Sequence, residues 1–131
     1  MRLKGRIICT ADDVDSREML VTFLGYYGFD VVCSVDSKHA LDLAHQEDFD
    51  LFLLDNWMPA LSGVDVTIGI REFNKTTPII FYSGAVFPAD RNEALNAGAQ
   101  AYLAKPDLQA LVEEIDRLIV QSKTTHSQIL N

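Results

Sequence analysis

Three carboxylates, one hydroxyl and one ammonium stand at or just beyond the ends of short apolar runs in this 131-residue sequence. They belong to Asp12, Asp13, Asp55, Ser83 and Lys105. If these groups meet, their formal charge is 1 − 3 = −2, so the carboxylates repel each other unless protons or a divalent cation neutralise them. Carboxylate-rich coordination completed by water suits Mg²⁺ or Mn²⁺.

A hard cation beside a carboxylate and a lysine is an arrangement that binds phosphoryl groups. In it, Lys105 and the cation would neutralise the phosphoryl oxygens, and Ser83 would donate a hydrogen bond. Asp55 is the best candidate for a nucleophile because it ends a central strand. Taken singly, each residue has an ordinary explanation, such as helix capping for the acids or a turn for Ser83. The joint occurrence of these residues at four strand ends favours a functional site over the separate explanations.

Short apolar runs alternate with longer amphipathic stretches, and this order explains why the polar groups would meet. The pattern predicts strands over residues 6–11, 31–35, 51–54, 78–82 and 101–103, and helices over residues 15–27, 37–46 and 108–121. Strands without polar alternation are typical of a parallel sheet covered on both faces. The predicted fold is α/β, a single doubly wound sheet of five parallel strands whose carboxyl ends share one edge.

Two local features refine this pattern. Residues 64–70 alternate as a strand does, but the crossover between the third and fourth parallel strands needs a helix, so we assign a helix there. Asp15 and Glu18 are expected to form a capping box at the start of the first helix, and Gly28 to end it.

The composition, with 48% apolar and 23% charged residues, is that of one globular domain over residues 1–121 and a flexible polar tail over residues 122–131. Eleven basic against nineteen acidic residues give 11 − 19 = −8, which argues against direct nucleic-acid binding. The sequence has no run long enough to cross a bilayer and no signal peptide, so we expect a cytoplasmic protein without membrane contact. Cys9 and Cys33 fit no metal or disulfide pattern and are expected to be reduced core residues.

The stretches ADDVDSRE, LFLLDNWMPALSG, PIIFYSGA and NAGAQAYLAKP together resemble the receiver domain of two-component response regulators. The resemblance covers about residues 5–121 and implies the flavodoxin-like strand order 2-1-3-4-5. It also implies a phosphorelay protein that is not an enzyme in the ordinary sense, although it contributes to its own phosphorylation and dephosphorylation. A histidine kinase or a histidine phosphotransfer protein would be its phosphoryl donor.

The resemblance also implies a role for each matched residue. Asp55 would be the phosphoacceptor, Lys105 would pair first with Asp55 and then with the phosphoryl group, and Ser83 would bind that group in the active state. Tyr102 would be the aromatic switch that moves when the loop after Ser83 closes. The main-chain carbonyl of Trp57 would be a metal ligand, and the Lys105–Pro106 peptide would be cis.

The acidic cluster departs from the family's usual pair of adjacent acids. An ungapped match places Ala11 at the first acid position and makes Asp12 the direct metal ligand, with Asp13 peripheral. A shift of one residue would restore Asp12 and Asp13 as the pair. Metal affinity should be weaker if Ala11 does replace an acid.

The implied output is a surface formed by the fourth helix, fifth strand and fifth helix, which would bind an unknown downstream protein or a second copy of the chain. Two other functions stay open: a receiver-like binding module that needs no phosphate, and a Mg²⁺-dependent phosphatase. The phosphatase is disfavoured because Asn56 and Trp57 follow Asp55 where a D-x-D motif would be expected.

Overall fold

The computed structural model describes residues 4–85 and 87–130, with side chains described as far as Lys123. Within this part of the chain, strands and helices alternate. The strands are β1 (Gly5–Thr10), β2 (Phe29–Ser34), β3 (Leu51–Leu54), β4 (Ile79–Ser83) and β5 (Ala101–Ala104). The helices are α1 (Val14–Tyr26), α2 (Ser37–Gln46), α3 (Gly63–Arg71), α4 (Pro88–Ala97) and α5 (Leu108–Leu130). Among the described helices, none combines the length and apolar character that crossing a membrane requires.

The five strands form one parallel sheet in the order β2-β1-β3-β4-β5, which confirms the predicted fold and strand order. In the sheet, β2 lies on one side of β1, whereas β3, β4 and β5 follow one another on its other side. This reversal of direction leaves a crevice at the carboxyl ends of β1 and β3, where ligands bind in open sheets of this type.

Alternate side chains of each strand enter two separate apolar clusters, one on each face of the sheet. Leu51, Leu53 and Ile80 pack on the face that includes Leu24 and Leu111 of α1 and α5. On the opposite face, Phe52, Leu54 and Phe81 pack with side chains of α2, α3 and α4, such as Ala40, Ile70 and Ala94. Because both faces are covered, the strands carry apolar residues at consecutive positions.

The helix assigned to the ambiguous segment 64–70 is confirmed. Ser62 caps α3, and its hydroxyl and the carboxylate of Asp65 accept reciprocal hydrogen bonds from each other's main-chain N–H groups. Val66 and Ile70 are buried on the face that meets the sheet. The capping box and the helical spacing of the buried residues therefore prevail over the local alternation.

Two predictions about the ends of the helices are wrong. Asp13, rather than Asp15 with Glu18, provides the N-cap of α1. Helix α5 continues to Leu130 instead of ending at Gln121, because residues 122–130 contain no Gly or Pro that would stop it. Helix α5 therefore includes residues 122–130 of the segment predicted as a tail, and Asn131 lies outside the described residues.

The expectation of two reduced cysteines is also wrong in this structure. Cys9 of β1 and Cys33 of β2 are partners in the parallel register, with Cα atoms 4.7 Å apart, and their sulfur atoms are joined as a disulfide. Strand pairing brings together two residues that are 24 positions apart in the chain. The spacing of cysteines in the sequence carries no information about this pairing.

Gly63→Ala tests how closely α3 packs beneath the end of β3. An added Cβ would lie 2.7 Å from the main-chain oxygen of Asp55 and 2.7 Å from Cε2 of Phe81. We expect this overpacking to lower the free energy of unfolding by about 1–3 kcal/mol, measured by urea unfolding. Gly25→Ala in α1 is the matched control, because nothing lies within 4 Å of its added Cβ. Equal stability of the two variants would contradict the packing described for Gly63.

Candidate functional site

Asp55 follows β3 at the crevice, and its position there depends on the neighbouring strand. The residue is only 8% exposed, and its main-chain N–H donates to the hydroxyl of Thr10 at 3.1 Å. Thr10 is the last residue of β1 and is itself buried. The contact therefore joins the carboxyl ends of the two strands that flank the crevice.

Lys105 lies beside Asp55 although 50 residues separate them in the chain. Its Nζ donates to Oδ2 of Asp55 at 2.7 Å, and its main-chain N–H donates to the carbonyl of Ser83 at 3.0 Å. The Lys105–Pro106 peptide is cis, as predicted. The side chain of Asp55 is 11% exposed and that of Lys105 is 32% exposed, so the ion pair is largely shielded on the carboxylate side.

The second carboxylate oxygen of Asp55 accepts two further hydrogen bonds. Oδ1 receives one from the hydroxyl of Ser83 at 3.1 Å and one from the main-chain N–H of Trp57 at 3.0 Å. Ser83 is fully buried, and its Oγ also accepts from the N–H of Ala85 at 3.1 Å. Both oxygens of Asp55 are thus fixed in orientation by charged or polar donors.

The two acids after β1 lie in different environments. Asp13 caps α1 and accepts from the N–H of Ser16 at 2.9 Å. Hydrogen bonding to Ser16 lowers the pKa of Asp13, and the positive charge of Lys105 adds to this effect. Asp12 is exposed, and no side-chain hydrogen bond of Asp12 is found among the described residues. Asp12 therefore offers free oxygens, whereas one oxygen of Asp13 is engaged by the helix.

The donor set suits a cation that keeps water ligands. Within residues 4–85 and 87–130, no three His, Cys, Asp or Glu side chains are grouped as a metal site. Mg²⁺ does not require such a cage, because it commonly uses one or two carboxylates together with water. The exposed carboxylate of Asp12 and the carboxylate of Asp55 at the adjoining strand end fit that requirement.

In the ungapped match, Ala11 occupies the position where the family's first acid is expected. It is 2% exposed, and its carbonyl accepts from Nη1 of Arg17 at 2.9 Å. The capping role of Asp13 agrees with the ungapped match, in which Asp12 is the ligand and Asp13 is peripheral. A methyl group supplies no oxygen at this position.

Tyr102 connects β5 to the loop that follows Ser83. Its hydroxyl donates to the carbonyl of Ala85, and its ring stacks on Phe81 with a centroid distance of 5.5 Å. The side chain is 7% exposed. Ala85 thus contacts both Ser83 and Tyr102, so a movement of this loop would affect both residues.

Thr10 and the main-chain N–H groups of Trp57 and Ala85 are parts of the site that were not predicted from the sequence. Thr10 could have been found as the polar residue closing a predicted apolar strand, next to the strand that bears Asp55. The two main-chain donors have no signal in residue type, because every residue except proline carries an N–H group.

Residues 7–116 match the model of the response regulator receiver domain family. The chain therefore belongs to this family, and it is a receiver domain of the two-component response regulators. Proteins of this family are signalling phosphoacceptors that use a divalent cation and interact with histidine kinases.

Curated relatives include the probable transcriptional regulator ycf27 of Guillardia theta, which is 32% identical over all of this chain and 54% of its own length. The transcriptional regulatory protein PrrA of Mycobacterium tuberculosis is 34% identical over 92% of this chain and 52% of its own length. The chain spans about half the length of the curated relatives it matches.

Solved receiver domains have the same fold over nearly their whole length. The Francisella response regulator 1452 receiver domain covers 91% of this chain and 99% of its own, with a TM-score of 0.85 and 26% identity. A receiver domain protein of Methanospirillum hungatei covers 94% and 98%, respectively, with a TM-score of 0.88 and 25% identity.

Asp13→Ala should lower the free energy of unfolding, whereas Asp12→Ala should leave it nearly unchanged, because of these two residues only Asp13 caps helix α1. The pKa of Asp13 is lowered in the folded state. Its stabilisation is therefore fully present above the ordinary carboxyl pKa of about 3.9 and is lost as the pH falls through the folded-state pKa. Urea unfolding of both variants and the wild type at neutral and acidic pH measures this. A stability difference that stays constant into strong acid would contradict the assigned cap.

Proposed function

We propose that Asp55 accepts a phosphoryl group from a phosphohistidine on a histidine kinase or a histidine phosphotransfer protein. The observation that supports this proposal is the orientation of the Asp55 carboxylate, which Lys105 and Ser83 hold from two sides at the crevice of the sheet. Phosphoryl transfer needs a positioned nucleophile and groups that neutralise the phosphoryl oxygens, and this arrangement offers both.

In the proposed step, an oxygen of Asp55 attacks the phosphorus in line with the bond to the histidine nitrogen. The P–O bond to Asp55 forms as the P–N bond breaks, and the electron pair of that bond leaves with the imidazole. Asp55 needs no general base, because it reacts as a carboxylate. The ammonium of Lys105 and the hydroxyl of Ser83 then turn from the carboxylate to the phosphoryl oxygens.

We propose Mg²⁺ as the resident cation, with Mn²⁺ as a substitute. Asp12 and Asp55 would hold it with their carboxylates and Trp57 with its main-chain carbonyl, while Asp13 stays at the periphery. When bound, the cation would neutralise charge on the phosphoryl oxygens. Because Ala11 supplies no carboxylate, we expect the affinity for the cation to be weaker than a pair of acids would give.

Phosphorylation would be read out through the loop after β4. A phosphoryl group adds about −1.5 to −2 charges and three acceptor oxygens beside Ser83 and Lys105. Movement of Ser83 toward it would carry Ala85 and release or shift Tyr102, which bonds to the Ala85 carbonyl. This would bias a two-state equilibrium of the surface formed by α4, β5 and α5, where a downstream protein or a second copy of the chain would bind. Later hydrolysis of the acyl phosphate would end the signal.

A receiver-like binding module that works without phosphate is the second candidate. The buried Ala11 favours it, because the carbonyl of this residue is already bonded to Arg17 and its side chain cannot ligate a cation. Phosphoryl uptake distinguishes the two functions.

Wild-type protein incubated with acetyl phosphate and Mg²⁺ should gain the mass of one phosphoryl group, because it carries Asp55, the proposed nucleophile. Asp55→Asn should gain none. Asp48→Asn is the matched control, because Asp48 is exposed and lies just before β3, at the opposite edge of the sheet. Intact-mass spectrometry measures all three. Absence of added mass in the wild type would favour the binding module, and labelling of Asp55→Asn would place the acceptor elsewhere.

Mg²⁺ should change the fluorescence of Trp57, the single tryptophan, because its main chain is bonded to Asp55. Asp12→Ala should weaken the apparent Mg²⁺ affinity by at least roughly tenfold, as the loss of a metal-site contact commonly does. Fluorescence titration measures this, with Asp48→Ala as the control. Identical titrations of wild type and Asp12→Ala would remove Asp12 from the proposed ligands.

A further inference from the structure

Tyr82 lies beneath the ammonium of Lys105, and neither the predicted chemistry nor the family assignment gives it a role. It precedes Ser83 in β4 and is 3% exposed, within the apolar cluster that includes Leu24 and Leu111. The Nζ atom of Lys105 lies 5.9 Å from the centroid of its ring. An ammonium at this distance from a tyrosine ring is within the range of a cation–π interaction.

The strand register explains why the ring and the lysine meet. Tyr82 is paired with Leu103 of β5, and Ser83 is paired with Ala104. Lys105 is the next residue, and its N–H donates to the Ser83 carbonyl. The lysine stem therefore leaves the sheet close to Tyr82 before its ammonium reaches Asp55.

Lys105 needs such support because a lysine side chain is long and flexible. Its ammonium has three donors, and one of them is bonded to Oδ2 of Asp55. The side chain of Lys105 is 32% exposed, and its solvent-facing side has no contact among the described residues that restricts it. A ring on the inner side restricts the positions open to the stem and lowers the entropy that is lost when the ammonium is fixed.

The hydroxyl of Tyr82 is buried and has no hydrogen-bond partner among the described residues. Burial and the negative charge of Asp107 raise the pKa of Tyr82, so the ring stays a neutral phenol at neutral pH. Since this hydroxyl makes no hydrogen bond among the described residues, Tyr82→Phe removes no such contact and keeps the ring. Tyr82→Phe is therefore the conservative variant.

We propose that Tyr82 is a positioning residue for Lys105: its ring face holds the ammonium beside the Asp55 carboxylate. The consequence for phosphoryl transfer rests on the function proposed above, but the positioning itself does not. Loss of the ring should free the ammonium without removing its charge. The phosphorylation rate should then fall while the fold is kept.

The first test measures the motion of the Lys105 ammonium by nitrogen-15 NMR relaxation of labelled lysine side chains, with Lys105→Met to assign the signal. Tyr82→Leu should increase the motion of this ammonium, and Tyr82→Phe should keep it restricted as in the wild type. Tyr82→Met is made in parallel, because an unbranched side chain fills an irregular space if leucine prevents folding. The proposal would be overturned if the motion of the Lys105 ammonium were unchanged in the variants without a ring. It would also be overturned if this motion increased as much in Tyr82→Phe as in Tyr82→Leu.

The second test compares phosphorylation rates with acetyl phosphate and Mg²⁺ in a double-mutant cycle. Tyr82→Leu should slow the phosphorylation of the otherwise wild-type protein by roughly three- to tenfold, which lies within the range that a cation–π contact supplies. In the Lys105→Met background the same change should have no further effect, because the group it positions is absent. Equal slowing in both backgrounds would show a merely structural role and overturn the proposal. If the wild type takes up no phosphoryl group, the proposed function fails, while the NMR result still decides the role of Tyr82.

Discussion

The arrangement of the site depends on the ion pair between Asp55 and Lys105. The side chain of Asp55 is only 11% exposed, and burying a carboxylate is costly unless a cation and hydrogen-bond donors compensate for the lost water. The ammonium at 2.7 Å, the hydroxyl of Ser83 and the N–H of Trp57 supply that compensation. In the proposed function, two of these donors, the Lys105 ammonium and the Ser83 hydroxyl, reorient toward the phosphoryl group. Under that proposal, contacts that stabilise the unphosphorylated site also respond to the new charge.

The parallel sheet makes this ion pair possible, because it brings the carboxyl ends of distant strands to one edge. Asp55 follows β3 and Lys105 follows β5, with the buried strand β4 between them. Ser83 at the end of β4 donates to Asp55 directly, and the ring of Tyr82, one residue earlier, lies 5.9 Å from the Lys105 ammonium. Apolar clusters on both faces of the sheet fix the backbone positions of these residues, so their polar side chains contact one another without a change in the backbone.

Much of the fold and the main polar residues could be predicted from the sequence. Leu51–Leu54 was predicted with its observed bounds, because a wholly apolar run between polar segments has few alternatives as a buried strand. Helix α4 received no predicted bounds, since its start has no side-chain cap and its apolar face is weak. The pairing of Cys9 with Cys33 and the contact of Thr10 with Asp55 depend on register, which local sequence does not encode. Which of Asp12 and Asp13 keeps its carboxylate free of the helix likewise depends on which residue caps α1.

The central claim is that the Asp55 carboxylate, the Lys105 ammonium and the Ser83 hydroxyl form one phosphoryl-binding centre. A crystal structure of the protein with Mg²⁺ and beryllium trifluoride, a stable mimic of the phosphoryl group, tests this claim most directly. We expect beryllium bonded to a carboxylate oxygen of Asp55, with its fluorine atoms in contact with the Lys105 ammonium and the Ser83 hydroxyl. Beryllium trifluoride bound at another carboxylate, or bound at Asp55 with Lys105 and Ser83 turned away, would contradict it.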